Sequence, residues 1–323
     1  MGDVLHGFRA DWARRTGRVP TVVPFVGYGG AGWIRVLGRV VLRKPTVSTD
    51  RFVGVRGWRS FTSVPVRDAD ITVVAGGVSS TVRADRGGII DARVDAALPA
   101  GWSTVTLSIG DEDRVEVPIF VVDESAEFGL VSDIDDTVMV TARPRPVLAA
   151  WNSFVLDEHA RTPVAGMAVL YERLMRAHPG APVVYLSTGA WNVVPTLTRF
   201  LTRNLYPRGP LLLTDWGPTP EHWFRNGPEH KRASLDRLAS EFPGIRWLLI
   251  GDDGQADERI YGDFARRKPE HVRAVAIRQL TPGQAVLAGG RTPAQPHGGE
   301  AVAWVYAPDG AGLSQQLGEL RLL

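Results

Sequence analysis

The hydrophobic rhythm of the chain changes once, and that change constrains the fold more than any single motif. From about residue 22 to residue 122, apolar residues come in short β-branched and aromatic runs at 33–42, 71–74, 89–94, 103–109 and 115–122. Turns such as Ala75-Gly76-Gly77 and Arg86-Gly87-Gly88 separate them. Val105, Leu107 and Ile109 alternate with Thr104, Thr106 and Ser108, the period-two mark of a strand with one buried face. An antiparallel β-sandwich is expected here. After Phe128 short apolar runs at 128–132, 183–187, 211–214, 247–251 and 272–278 alternate with helical spacings. The helical sets are Val164, Ala168, Tyr171, Met175, then Val193, Leu197, Phe200, Leu201, then Leu235, Leu238, Ala239, Phe242. That pattern predicts an α/β fold, a doubly wound parallel sheet. The expected division is a β-sandwich domain over residues 1–125, opened by a short N-terminal helix, and an α/β domain over 126–323. The tail of the second adds a strand at 301–306 and a helix near 313–322.

Composition narrows the chemistry. With no Cys, thiolate zinc, iron–sulfur and thiol-nucleophile chemistry are excluded, and any metal must sit on oxygen or imidazole. No run approaches the roughly 20 apolar residues of a membrane-spanning helix. The opening residues lack the apolar core of a secretory signal, so the expected compartment is the cytoplasm, with peripheral membrane contact as an extension of it. The 37 bases and 35 acids nearly cancel, and neither half carries the basic excess of a nucleic-acid surface. Only three of the bases are Lys, at positions 44, 231 and 268, which draws attention to each.

In open parallel sheets, ligands bind beyond the carboxyl ends of the strands. The residues expected there are Asp133-Ile134-Asp135-Asp136-Thr137, Ser187-Thr188-Gly189, Thr214-Asp215, and the run from Gly251 through Asp252 and Asp253 to Asp257. So many carboxylates beside apolar strands repel one another and resist desolvation, which a bound divalent cation resolves. With oxygen ligands alone, the expected cation is Mg²⁺.

The run Asp133-Ile134-Asp135-Asp136-Thr137 resembles the Asp-Xaa-Asp-Xaa-Thr nucleophile motif of the haloacid dehalogenase superfamily phosphatases. Its companions follow in the superfamily's order: Ser187 closing the next strand, Lys231 before the fourth, and Gly251-Asp252-Asp253 with Asp257 after it. Asp215-Trp216-Gly217, His230-Lys231-Arg232, Phe242-Pro243 and residues 249–261 further resemble the catalytic domain of the actin-patch-protein phosphatidate phosphatases and their bacterial relatives. Their acidic loop has Ser where this chain has Asp253.

The resemblance implies that Asp133 attacks phosphorus, while Asp135 protonates the leaving oxygen and later activates water. It implies Mg²⁺ held by the Asp133 carboxylate, the Asp135 backbone carbonyl and Asp252, with Asp253 or Asp257 direct or through water. Ser187 and Thr188 are the implied phosphoryl-binding residues, and Lys231 compensates negative charge. The implied function is a Mg²⁺-dependent phosphomonoesterase acting on a lipid phosphate, phosphatidate to diacylglycerol, with its phosphorylated substrate met at a membrane surface. The alternatives are a phosphatase for a soluble or protein-bound phosphate, and a catalytically retired phosphate-binding domain.

Plainer readings stand beside these. Asp136 or Thr137 would serve as a helix cap, Ser187 as a strand-end hydroxyl, and Trp151 and Trp191 as packing residues. Lys231 is expected to open the helix running to Glu241, where the dipole disfavours it. Only one extra helix, near 145–156, fits between the first two strands, which leaves room for a minimal cap. The Pro- and Gly-rich residues 216–229 predict a mobile loop presenting Trp223 and Phe224 to substrate or membrane. Leu5, Phe8 and Trp12 form a further apolar stripe near several Arg.

Overall fold

The computed structural model describes residues 17–43, 64–110, 113–140, 162–214, 220–254, 256–287 and 302–323. The N-terminal stripe, the 145–156 helix and Trp151 lie outside them. Contacts divide the chain into two units: one is built on residues up to Asp123, the other on residues from Glu124 onward, except that Ala190–Pro195 goes with the first.

The first unit contains β1 (Val19–Pro24), β2 (Gly27–Gly30), β3 (Trp33–Arg43), β4 (Val64–Pro65), β5 (Asp70–Ala75), β6 (Val78–Arg83), β7 (Ile89–Asp95), β8 (Gly101–Ile109) and β9 (Asp113–Val121). They make one sheet in the order β1-β3-β2-β9-β8-β5-β6, with β4 and β7 also paired to β3. The sheet is mixed, because β2 runs parallel to β9 while β3 pairs antiparallel with β1, β2, β4 and β7. The alternation expected in β8 is present: Val105 and Leu107 are buried, and Thr104 is exposed. Residues such as Ile34, Val36, Ile71, Val73, Leu107, Val117 and Ile119 form its core. The β5–β6 hairpin turns on Gly76 and Gly77, both at positive φ (56° and 81°), the backbone that a tight two-residue hairpin requires. Trp191, also in this unit, stacks on Phe25 with ring centroids 5.5 Å apart, which bears out its reading as a packing residue.

The second unit is α/β. Its strands are β10 (Phe128–Ser132), β11 (Val183–Ala190), β12 (Leu211–Thr214), β13 (Arg246–Asp252), β14 (Val272–Arg278) and β15 (Ala303–Ala307), ordered β12-β11-β10-β13-β14-β15. Pairing is parallel from β11 through to β15. Every residue of β10 and β12 is buried, the unbroken apolar signature of strands covered on both faces. The helices are α1 (Met167–Ala177), α2 (Val194–Arg203), α3 (Pro220–Glu241), α4 (Asp257–Arg267), α5 (Pro282–Leu287) and α6 (Gly310–Glu319). In α1 the buried face is Met167, Leu170, Tyr171 and Leu174, an i, i+3, i+4, i+7 spacing that leaves Val169 exposed.

The start of α6 crosses the start of α1 at a pair of glycines. A Cβ on Gly310 would lie 2.2 Å from the Gly166 carbonyl carbon, and Gly310 N donates to Ala165 O at 2.9 Å. No side chain fits there. Because the strands are parallel, the carboxyl ends of β10, β11, β13 and β14 share one edge, and the candidate site is found on it.

Candidate active site

Asp133 directly follows β10, and its N–H donates to Ile250 O of β13 at 2.9 Å. That bond keeps the carboxyl ends of the two strands together, with Asp252 closing β13. Asp257, the first residue of α4, reaches the same place because Gly251 has no side chain. A Cβ there would be 2.7 Å from Asp257 Oδ2. Lys231 comes from the middle of α3, and its ammonium donates to Asp133 Oδ1 at 2.6 Å and to Asp257 Oδ1 at 2.5 Å. All four residues are buried, none more than 4% exposed.

Burial this deep dominates the electrostatics. Desolvation raises the pKa of Asp133, Lys231 opposes the rise, and Asp257 and Asp135 add to it, so the carboxyl is pushed up to about 7. For Lys231, burial alone would lower the pKa, but Asp133 and Asp257 outweigh it and hold the ammonium above its ordinary value. One carboxylate oxygen from each of Asp133, Asp252 and Asp257 lies within 4.8 Å of the others, and Asp257 Oδ2 is buried without a hydrogen-bond partner. Three carboxylate groups this close, with an Asp257 oxygen left without a partner, suit a hard cation.

Beyond Asp133 the chain turns sharply. Ile134 O accepts the N–H groups of Val138 and Met139 at 3.0 and 3.1 Å, and Asp136 N donates to Met139 O at 2.7 Å. Asp136 sits at φ 58°, in the left-handed region that L-residues avoid. Neither Asp136 nor Thr137 caps a helix; both belong to this turn. The turn sets Asp135 against Ser187, whose hydroxyl donates to Asp135 Oδ2 at 3.3 Å and accepts from Gly189 N at 3.0 Å. Behind Asp133, the Ser132 hydroxyl donates to the Asp133 carbonyl at 2.6 Å and is itself 2.5 Å from the Tyr171 hydroxyl.

Two of the expected residues stand apart from the carboxylate cluster. Asp253 takes the Leu280 N–H on Oδ1 at 2.8 Å, so that oxygen ties the acidic loop to the segment after β14. Thr188 is half-buried beside Gly227 of α3, whose Cβ would approach Thr188 Cγ2 to 3.0 Å, and its carbonyl accepts from the Thr214 hydroxyl at 3.0 Å. No histidine joins the cluster of possible cation ligands among the described residues. His178 instead stacks on Phe128 at 3.8 Å and bonds Leu322 O.

Two expectations are overturned. Residues 220–229 are helical, not a mobile loop, because Pro220 serves as a helix start, where its missing N–H costs nothing; residues 216–219 lie outside the described set. Lys231 therefore does not open its helix, and the dipole argument falls away. One residue at the site escaped the sequence reading. Arg278, the last residue of β14 and 5% exposed, donates to Asp136 O at 2.6 Å. Its place at a strand's carboxyl end was the available signal, masked by the abundance of Arg.

Residues 128–279 match the family described as "Phosphatidate phosphatase APP1, catalytic domain", which covers the α/β unit from β10 to just past β14. An uncharacterized protein of Schizosaccharomyces pombe is 26% identical over 183 residues, 54% of this chain and 29% of that protein. Phosphatidate phosphatase APP1 of Saccharomyces cerevisiae is 25% identical over 153 residues, 46% of this chain and 25% of its own length. The chain thus aligns with less than a third of either relative. A carbohydrate acetylesterase from Xanthomonas citri shares 12% identity over 84% of this chain and 74% of its own, but the TM-score of 0.30 is too low to bear on the fold.

Proposed function

We propose that this protein, whose residues 128–279 match the catalytic domain of a phosphatidate phosphatase family, is a Mg²⁺-dependent phosphomonoesterase that forms an aspartyl-phosphate. The observation that carries the reading is the Lys231 ammonium held between Asp133 and Asp257, beside a cluster able to hold a cation. Asp133, Asp252 and Asp257 would hold it, with the Asp135 carbonyl as a further ligand and Asp253 a more distant candidate. The cation supplies charge compensation between the carboxylates and an incoming phosphoryl group.

Asp133 Oδ attacks phosphorus, forming a P–O bond as the bond to the substrate oxygen breaks, and Asp135 delivers a proton to that leaving oxygen. Asp135 then takes a proton from water, which attacks the same phosphorus and releases Asp133 and phosphate. Ser187, beside Asp135, donates to a phosphoryl oxygen, with Thr188 next to it on the same loop. Lys231 offsets the negative charge that builds as phosphate meets Asp133. A nucleophile must be ionised. The raised Asp133 pKa is therefore a reason for the site to need added positive charge at neutral pH.

The substrate favoured is a lipid phosphate, phosphatidate above all, supported by the family match; a soluble or protein-bound phosphate is the nearest alternative. The same reading takes the α/β unit as haloacid-dehalogenase-like and doubly wound, supported by β10 at the centre of the strand order, with a minimal cap. It takes the β-rich unit as a sandwich domain, with a boundary near residue 125. Contact with lipid is taken as peripheral, from the cytoplasm; among the described residues no helix is long and apolar enough to cross a membrane. The test is a phosphatase screen with and without Mg²⁺ on phosphatidate in detergent, sugar phosphates, nucleotides and phosphopeptides. Mg²⁺-dependent release of phosphate supports the reading, and binding of phosphate esters without turnover on any of them favours a retired domain.

A further inference from the structure

The left-handed turn at Asp136 needs an external hold, because a non-glycine residue stays in that region only when its surroundings over-determine it. The buried guanidinium of Arg278 supplies one. Nη1 donates to the Asp136 carbonyl at 2.6 Å, Nη2 to Gln284 Oε1 at 3.0 Å and Nε to the Pro308 carbonyl at 3.1 Å. The fork is thus fixed on two sides by the chain after β14, and its remaining arm reaches the nucleophile loop. The Arg278 carbonyl accepts the Asp253 N–H at 3.1 Å, so one residue ties together the loop bearing Asp133 and Asp135 and the loop bearing Asp252. Burial holds the guanidinium's pKa below its ordinary value, and the carboxylates of Asp136, Asp252, Asp253 and Asp309 oppose that shift.

We propose that Arg278 is a positioning residue for the reaction: by holding the Asp136 carbonyl it fixes the turn that aims Asp135 at Ser187 and sets the spacing between the nucleophile and acidic loops. Its kinetic consequence rests on the phosphatase reading above; its structural consequence does not. Lysine keeps the charge at this position but not the planar three-point fork, so Arg278→Lys separates geometry from electrostatics.

The experiment is amide hydrogen exchange by mass spectrometry on Arg278→Lys, with steady-state hydrolysis of an aryl phosphate alongside. The Val138 and Met139 amides, bonded to Ile134 O, are expected to exchange faster while β10 and β13 keep their protection. The kcat is expected to fall about 10- to 100-fold with little change in KM, the scale of a misplaced catalytic group. Unchanged exchange over residues 133–140 with unchanged kcat overturns the proposal, and so does a uniform loss of protection through β10 and β13. Should Arg278→Lys fail to fold, Gln284→Ala, which removes the acceptor of Nη2 and of the Thr281 N–H but leaves Arg278 in place, gives the same readout. Faster exchange in 133–140 supports the proposal, and a change confined to 281–287 overturns it. A wild-type protein without turnover would sink the phosphatase reading, and the exchange result would still decide the role of Arg278.

Discussion

Asp133 and Asp257 share one ammonium: Lys231 Nζ lies 2.6 Å from the first and 2.5 Å from the second. With Asp252 alongside, three carboxylates face one positive charge in a site without bulk water to screen them. The imbalance links the stability of the unit to its chemistry, and each of the following outcomes tests one part of that link.

Asp133→Asn should cut turnover by about a thousandfold or more, the scale of losing a nucleophile. It should also stabilise the cation-free protein at alkaline pH. The folded-state pKa of Asp133, about 7, lies above its ordinary 3.8, so its contribution to stability is fully present below that ordinary value and is lost as pH rises through about 7. Melting of the wild type in chelator should therefore weaken as pH rises from 3.8 to about 7 and level off above, and the Asn variant should flatten that slope. Equal slopes in the two proteins would remove Asp133 as the titrating group.

Lys231→Met leaves two buried carboxylates without their cation, a change that costs about 3–5 kcal/mol when one partner of a buried pair is removed. Urea denaturation in chelator should show the loss, and saturating Mg²⁺ should recover part of it. A midpoint equal to wild type would mean that the pair contributes nothing to folding.

Gly251→Ala tests the passage that admits Asp257. The new methyl would meet Asp257 Oδ2 at 2.7 Å, Asp257 Cβ at 2.8 Å and Tyr261 Cε2 at 2.8 Å, so the Asp257 side chain must shift from its place beside Lys231. Calorimetric Mg²⁺ affinity should fall about 10- to 100-fold, as when the support of a metal ligand is lost. Unaltered affinity would place Asp257 outside the cation's reach.

Ser187→Ala removes the hydroxyl between Asp135 Oδ2 and Gly189 N. The kcat/KM for an aryl phosphate should fall about a hundredfold, the cost of one donor to a developing oxyanion, while melting changes little. A loss of stability without a change in kinetics would make Ser187 a strand-end hydroxyl only.

Much of this was legible in the sequence, for a physical reason. Strands buried on both faces are written as unbroken apolar runs, so β10 and β12 have the expected limits, as does β14, whose apolar run is broken by the exposed Arg273. Asp133, Ser187, Asp252 and Asp257 follow because a parallel sheet gathers its carboxyl ends. What was hidden depends on contacts between distant segments. Asp253 bonds Leu280 N and Arg278 bonds Asp136 O, and no local pattern announces either. The start of α3 was misread because Pro220 both ends and begins helices, depending on which side the helix lies. In the first unit the half-exposed residues of β1 and β6 give little apolar contrast, and β2, though buried, is Gly-Tyr-Gly-Gly and β4 only two residues long, so none of the four stands out as a strand.

The glycine pair where α6 crosses α1 lies on the path to the nucleophile loop. Gly166 follows Val164, whose N–H donates to Val138 O at 3.0 Å, and Val140 N donates to Thr162 O at 2.9 Å. A side chain on Gly166 or Gly310 would push the two backbones apart and pull on the turn that carries Asp135. In a genetic screen that scores only loss of turnover, these two positions would cluster with the catalytic residues, although neither has a side chain with which to do chemistry.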